Sequence, residues 1–164
     1  MWNFAVEYLT GRDPNSYLFT IDFGPVGQGI GVALGAALAR PETGVALIEG
    51  DGGLLMHVQE LETMSRHRIP CIVYVMNDGA FGAEVHKLVA RGVKPDEAIF
   101  GYPDLASVSR ALGVAADHVG SETADLDAAL SSAVGPGAMH LYDVHISPNV
   151  PSAQFRRLHF GEAP

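Results

Sequence analysis

The chain has 164 residues, 48% hydrophobic and 18% charged, which suits one globular domain with a sizeable core and excludes disorder. Its formal charge of -9 leaves no basic patch, which argues against nucleic acid and anionic membrane surfaces as partners. No apolar run reaches the ~18 residues needed to span a bilayer. In chain order, Trp2, Ala5, Val6 and Leu9 fall on one helical face and predict a helix over residues 1–10. No basic region precedes an apolar stretch there, so no secretory signal is expected. Residues 15–22 read as a strand behind turn residues. Residues 23–40 combine a glycine-rich turn with a small-residue helix ending before Pro41.

A short apolar strand follows at 44–49. Residues 54–68 then read as one helix, with Leu54, Val58, Leu61 and Met64 on a single face. Residues 69–76 form another continuous apolar strand. It contains Cys71, the only cysteine, which excludes an internal disulfide and points to a small buried hydrophobe in a reducing, cytoplasmic setting. A short helix is expected at 83–90, a helix from 103 or 104 to 112 stopped by Gly113, another at 123–134, and a final strand at 138–146. The stretch 148–164, with prolines at 148, 151 and 164, is expected to be an extended C-terminal tail behind a domain spanning 1–147.

Strands apolar on both faces, alternating with helices, define an α/β fold: a doubly wound, mainly parallel sheet with helices on both faces. In such folds ligands bind outside the carboxyl ends of the strands. Gly50-Asp51-Gly52-Gly53 follows one strand, and Asn77-Asp78-Gly79 follows the next, so both lie on that edge. Glycine lets the backbone turn tightly and approach a ligand. The helix expected at 54 offers free N–H groups to an anion. Carboxylates beside a phosphate suit Mg²⁺. The physical reading is a Mg²⁺–phosphate clamp, against the plainer reading of two ordinary turns. The seven histidines (57, 67, 86, 118, 140, 145, 159) show no HxxxH or similar spacing and are expected on surfaces or helices.

"GDG", 24 residues, then "ND" resembles the thiamine-diphosphate motif, which usually ends in NN. The likeness extends to "FGPVGQGIGVALGAALA" upstream and "MNDGAFGAE" downstream, covering most of residues 17 to 90. The chain is similar to the diphosphate-binding, C-terminal domain of the pyruvate decarboxylase, benzoylformate decarboxylase and acetolactate synthase group. That resemblance implies Asp51 and Asp78 as Mg²⁺ ligands, with the Ala80 carbonyl as a third. It places Gly50, Gly52, Gly53, Phe81 and Gly82 along the diphosphate. Gly24 would meet the aminopyrimidine, Gly27 would lie in the same turn, and Val26 would be the apolar wedge that bends the cofactor. Glu84 matches an active-site glutamate of the decarboxylases, beside the plainer reading of an exposed first-turn carboxylate. Asp78 stands where the family commonly has Asn, and Val26 is smaller than its usual counterpart.

The resemblance implies thiamine diphosphate and Mg²⁺ as cofactors and a 2-oxo acid as substrate of a lyase or transferase. It also implies a homo-oligomeric full-length form, with a pyrimidine-binding domain or subunit supplied in cis or trans. The uncapped helix at Met1 fits a chain cut from a longer enzyme or a separately encoded subunit, inactive alone. His86 and Lys87 are expected as solvated helix residues, with contact to a substrate carboxylate as the sharper reading. Two other classes stay open. "GQGIGVALG" approximates a G-x-G-x-x-G dinucleotide fingerprint, although Leu34 stands at its third glycine position counted from Gly29. A non-catalytic cofactor-binding module would keep the fold without the chemistry.

Overall fold

A computed structural model describes residues 13–20, 23–120 and 137–161, together with Leu9, Glu122, Asp125 and residues 127–129. The helix expected at 1–10 and most of the one at 123–134 lie outside the described residues. In chain order come α1 (Gly29–Ala39), β1 (Val45–Gly50), α2 (Asp51–Met56), α3 (Glu60–His67), β2 (Cys71–Asn77), α4 (Gly82–Ala90), α5 (Leu105–Ala111), β3 (Ala115–Val119), β4 (His140–His145) and α6 (Ala153–Phe160).

The four strands form one parallel sheet in the order β1-β2-β4-β3. After β2 the chain skips a place, lays β3 at the far edge and returns to insert β4 between them. All four carboxyl ends therefore share one rim, where a doubly wound sheet binds its ligands. Alternate residues project to opposite faces. On one face Cys71, Val73, Val75, Leu141 and Ala116 pack with Ile30 and Ala37 of α1, Leu54 of α2, Leu61 and Met64 of α3 and Leu105 of α5. On the other, Tyr142, Val144, Val119 and Ala129 form a smaller cluster. There Tyr74 and Tyr142 stack across neighbouring strands at 5.3 Å between centroids. Burial pushes the Cys71 thiol up to about 12, so it is an inert core group.

Several expectations need correcting. The single helix expected at 54–68 is two helices, and the first already begins at Asp51. His57 leaves the helical region (φ -136°, ψ 31°), and residues 57–59 turn the chain before α3 resumes. The apolar face nevertheless survives the break, because Leu54, Leu61 and Met64 are all fully buried.

The strand expected at 15–22 is absent among the described residues, where a 3-10 turn at Pro14–Ser16 leads into irregular chain. β3 was not expected at all. It is an edge strand of five residues, and only Ala116 and Val119 are buried, so its sequence carries no clear alternation.

The segment from 148 is not extended throughout. Ser152 caps α6 by accepting a hydrogen bond from the Phe155 amide, and Gly161 ends it in the left-handed region at φ 69°. Phe155, 4% exposed, fixes α6 in place, with its ring 6.1 Å from that of His86 on α4.

Candidate functional site

β1 ends at Gly50 and α2 begins at once, which puts Asp51 at the first helical position and buries it to 2% exposure. Its Oδ1 accepts from the Gly52 amide at 2.8 Å, and its Oδ2 accepts from the Gly79 amide, also at 2.8 Å. The side chain therefore spans from the end of β1 to the loop after β2. Asp78, half-buried in that loop, accepts from the Ala80 amide at 3.2 Å. Burial raises the Asp51 carboxyl to about 6, with the neighbouring Asp78 charge adding to the rise and the Gly52, Gly79 and Ala80 amides opposing it. Asp78 is also raised, chiefly by burial. A like-charged neighbour disfavours the ionised form of Asp51, the condition a divalent cation relieves.

The glycines beside them are packed too closely against neighbouring side chains to carry a Cβ. A Cβ on Gly52 would stand 2.6 Å from the Phe81 ring, and one on Gly82 would run into the Asp78 carboxylate. Phe81 is held edge-on to Phe100 at 5.4 Å. Its amide donates to the Ala98 carbonyl, and Ala80 bridges to Ile99, so the loop after β2 is stitched to the segment before α5. These carboxylates, bare glycine backbones and amides suit a metal-bridged diphosphate.

Asn77 is not part of that rim. It is fully buried, with Nδ2 donating to the Asp143 Oδ1 at 2.8 Å and to the Pro103 carbonyl at 3.1 Å. It anchors the loop from behind and leaves Asp78 as the acid at the surface of the turn. Of the two neighbouring side chains, only that of Asp78 therefore reaches the rim beside Asp51.

Gly24 and Gly27 adopt positive φ (71° and 95°), and Val26 between them is 55% exposed. Gly27 is buried, and a Cβ there would lie 2.8 Å from His57 Nδ1, so this turn and the break between α2 and α3 fit together. Glu84, in the first turn of α4, pairs with Lys87 at 2.8 Å with 57% of its side chain exposed. That is the plainer of its two readings.

Glu49 was missed by sequence reasoning. It is 9% exposed, burial raises it to about 7, and the Gly29 and Ile30 amides at the start of α1 oppose that rise. Its Oε2 has no hydrogen-bond partner. The helix N-terminus that a dinucleotide phosphate would need thus already faces the protein's own carboxylate. The one available signal was a carboxylate closing an otherwise apolar strand.

Fold, rim and glycine cradle together define a diphosphate-binding α/β domain. Residues 2–144 match the family described as the thiamine pyrophosphate enzyme, C-terminal TPP binding domain, and the chain belongs to that family. It is 37% identical over 139 residues to a putative acetolactate synthase large subunit, IlvB2, of Mycobacterium tuberculosis, covering 85% of this chain and 25% of that protein. Against the chloroplastic acetolactate synthase 2 of Zea mays the identity is 28% over 170 residues, covering 93% and 26%. The solved structure of a thiamine diphosphate-dependent 4-hydroxybenzoylformate decarboxylase from Rhodococcus jostii superposes with a TM-score of 0.65 at 25% identity, covering 77% of this chain and 24% of that one. The chain spans about a quarter of the length of these relatives. Family membership replaces the dinucleotide reading. Among the described residues, no helix is long and apolar enough to cross a membrane.

Proposed function

We propose that this chain is the diphosphate-anchoring part of a thiamine-diphosphate-dependent lyase or transferase acting on 2-oxo acids. The observation that carries the reading is the Asp51 side chain, which joins the ends of two neighbouring parallel strands beside a second carboxylate, Asp78. When bound, the cofactor supplies the nucleophilic carbon and the electron sink for breaking the bond to a carboxylate. The protein's part is positional. Asp51, Asp78 and the Ala80 carbonyl would hold Mg²⁺. Gly50, with open space where a side chain would stand, would let the diphosphate approach, and the backbones at Gly52, Gly53 and Gly82 would line it with Phe81 as a wall. The amides that hold Asp51 orient it before any metal arrives. Gly24 and Val26 would meet the pyrimidine end, since Val26 presents an exposed apolar side chain on a tight turn.

A pyrimidine-binding domain, in cis or in trans, completes the site in this reading. Leu18, Phe23 and Val26, exposed to 66%, 90% and 55%, are the kind of apolar surface such a domain or another copy of the chain would cover. The buried free thiol of Cys71 suits the cytoplasm.

Calorimetric titration with thiamine diphosphate tests the reading. Binding, by the chain alone or with a pyrimidine-binding domain added, that requires Mg²⁺ and disappears in Asp51→Asn supports it; metal-independent binding, or none in either setting, refutes it. The Glu84–Lys87 pair favours a second reading, a cofactor-binding module without a catalytic side chain of its own. Release of CO₂ from a 2-oxo acid after adding a pyrimidine-binding partner domain would rule that out.

A further inference from the structure

On the far side of the same rim, parallel pairing sets His118 of β3 directly opposite Asp143 of β4. His145 lies two residues beyond Asp143, so strand alternation returns it to the same face of the sheet. Their ligand atoms all lie within 4.8 Å of one another. They open onto a pocket of about 290 Å³, also lined by Tyr102, Pro103, Asp104 and Arg110. We propose that His118, Asp143 and His145 form a binding site for one divalent transition-metal ion of the zinc class, distinct from the Asp51–Asp78 position on the same rim.

The donor set argues for that class. Two imidazoles with one carboxylate suit zinc and its neighbours, whereas Mg²⁺ demands oxygen ligands. Asp143 is 1% exposed and already oriented, with Oδ1 accepting from Asn77 Nδ2 and Oδ2 from the Leu105 amide at 3.1 Å. Each oxygen keeps a lone pair for a metal. The His118 and His145 rings lie 4.1 Å apart, and His145 Nε2 is 3.9 Å from Asp143 Oδ2, too long for a hydrogen bond. Ligands around a tetrahedral zinc ion sit roughly 3.4 Å apart. Rotation of the two imidazoles, His118 exposed and His145 partly so, closes that gap while Asp143 stays fixed. The Asp104 carboxylate at the mouth favours a cation. The Arg110 guanidinium is turned away onto the Ala116 carbonyl and Ser107 Oγ.

The test is Co²⁺ titration of the 164-residue chain carrying Asp51→Asn, which removes the diphosphate-side metal position, followed by visible absorption. The expected result is one Co²⁺ per chain with a tetrahedral-type spectrum, displaced by Zn²⁺ but not by excess Mg²⁺. His118→Ala and His145→Ala should each weaken binding about tenfold or more. Neither should change the melting temperature without metal, because neither ring is buried in the core. Absence of binding, displacement by Mg²⁺, or affinity unchanged in both histidine variants would overturn the site. Cofactor binding at Asp51 plays no part in the readout, so the two proposals fail independently.

Discussion

Asp51 Oδ2 accepts a 2.8 Å hydrogen bond from the backbone N–H of Gly79, across 28 positions of sequence. The bond is a structural tie between the ends of β1 and β2, and it also fixes the carboxylate proposed above as a metal ligand. The two roles separate by substitution. Asp51→Asn keeps an oxygen for one amide and should fold, while Mg²⁺-dependent binding of thiamine diphosphate is lost. Asp51→Ala leaves the buried Gly52 amide without its acceptor and the Gly79 amide with only the longer 3.3 Å bond to Asn77 Oδ1, and should also cost roughly 1–3 kcal/mol. Calorimetric titration and denaturant melts of both variants check this.

Asp78→Asn should keep cofactor binding, because only one Asp78 oxygen is held by a backbone amide and the new amide oxygen can serve both it and a metal. In Asp51→Asn, by contrast, the side-chain NH2 must be set against the Gly52 or Gly79 N–H and turn aside. Asp78→Asn also removes a like charge that helps to raise Asp51, so the Asp51 pKa should fall. Carboxyl titration by NMR would show it. Loss of binding in this variant would place the metal elsewhere.

Glu49 makes the metal-free protein sensitive to pH. Its folded-state pKa of about 7 lies above the ordinary 4.5. The native state therefore binds the proton more tightly than the unfolded chain. This contribution is fully present below pH 4.5 and is lost as pH rises through 7. The change approaches ~3 kcal/mol at most. Glu49→Gln should flatten the decline in stability between those pH values and raise the melting temperature at neutral pH. An unchanged pH profile would count against the burial of this carboxylate.

Gly52→Ala and Gly82→Ala should both weaken cofactor binding by different routes. The first new methyl must displace Phe81, and with it the edge-on contact to Phe100. The second collides with Asp78 and turns aside the carboxylate proposed as a metal ligand. Mg²⁺ affinity measured without the diphosphate should separate them, falling clearly only in Gly82→Ala.

How much the sequence disclosed depended on whether a signal was local. The apolar strands at β1 and β2, the helix stopped by Gly113 and the glycine-flanked Asp51 were legible because composition and turn chemistry lie along the chain. The break at His57 was not, since the same face is buried on either side and the apolar period continues through the interruption. Ser152 and Gly161 did mark both ends of α6, but the neighbouring prolines suggested an extended chain. The histidines were least legible. His118 and His145 are 27 positions apart, and only the pairing of β3 with β4 makes them neighbours. No linear spacing rule encodes a cross-strand register. Glu49 shows the same limit, because its burial follows from how closely the start of α1 approaches β1.

The dipeptide at the end of β2 divides its obligations unevenly. Asn77, sealed inside with three hydrogen bonds to Pro103, Asp143 and Gly79, is architecture. Asp78, on the open side of the turn, is free to trade charge for neutrality without disturbing the scaffold behind it. Descent with change should therefore leave the first letter of such a pair nearly frozen while the second drifts between acid and amide.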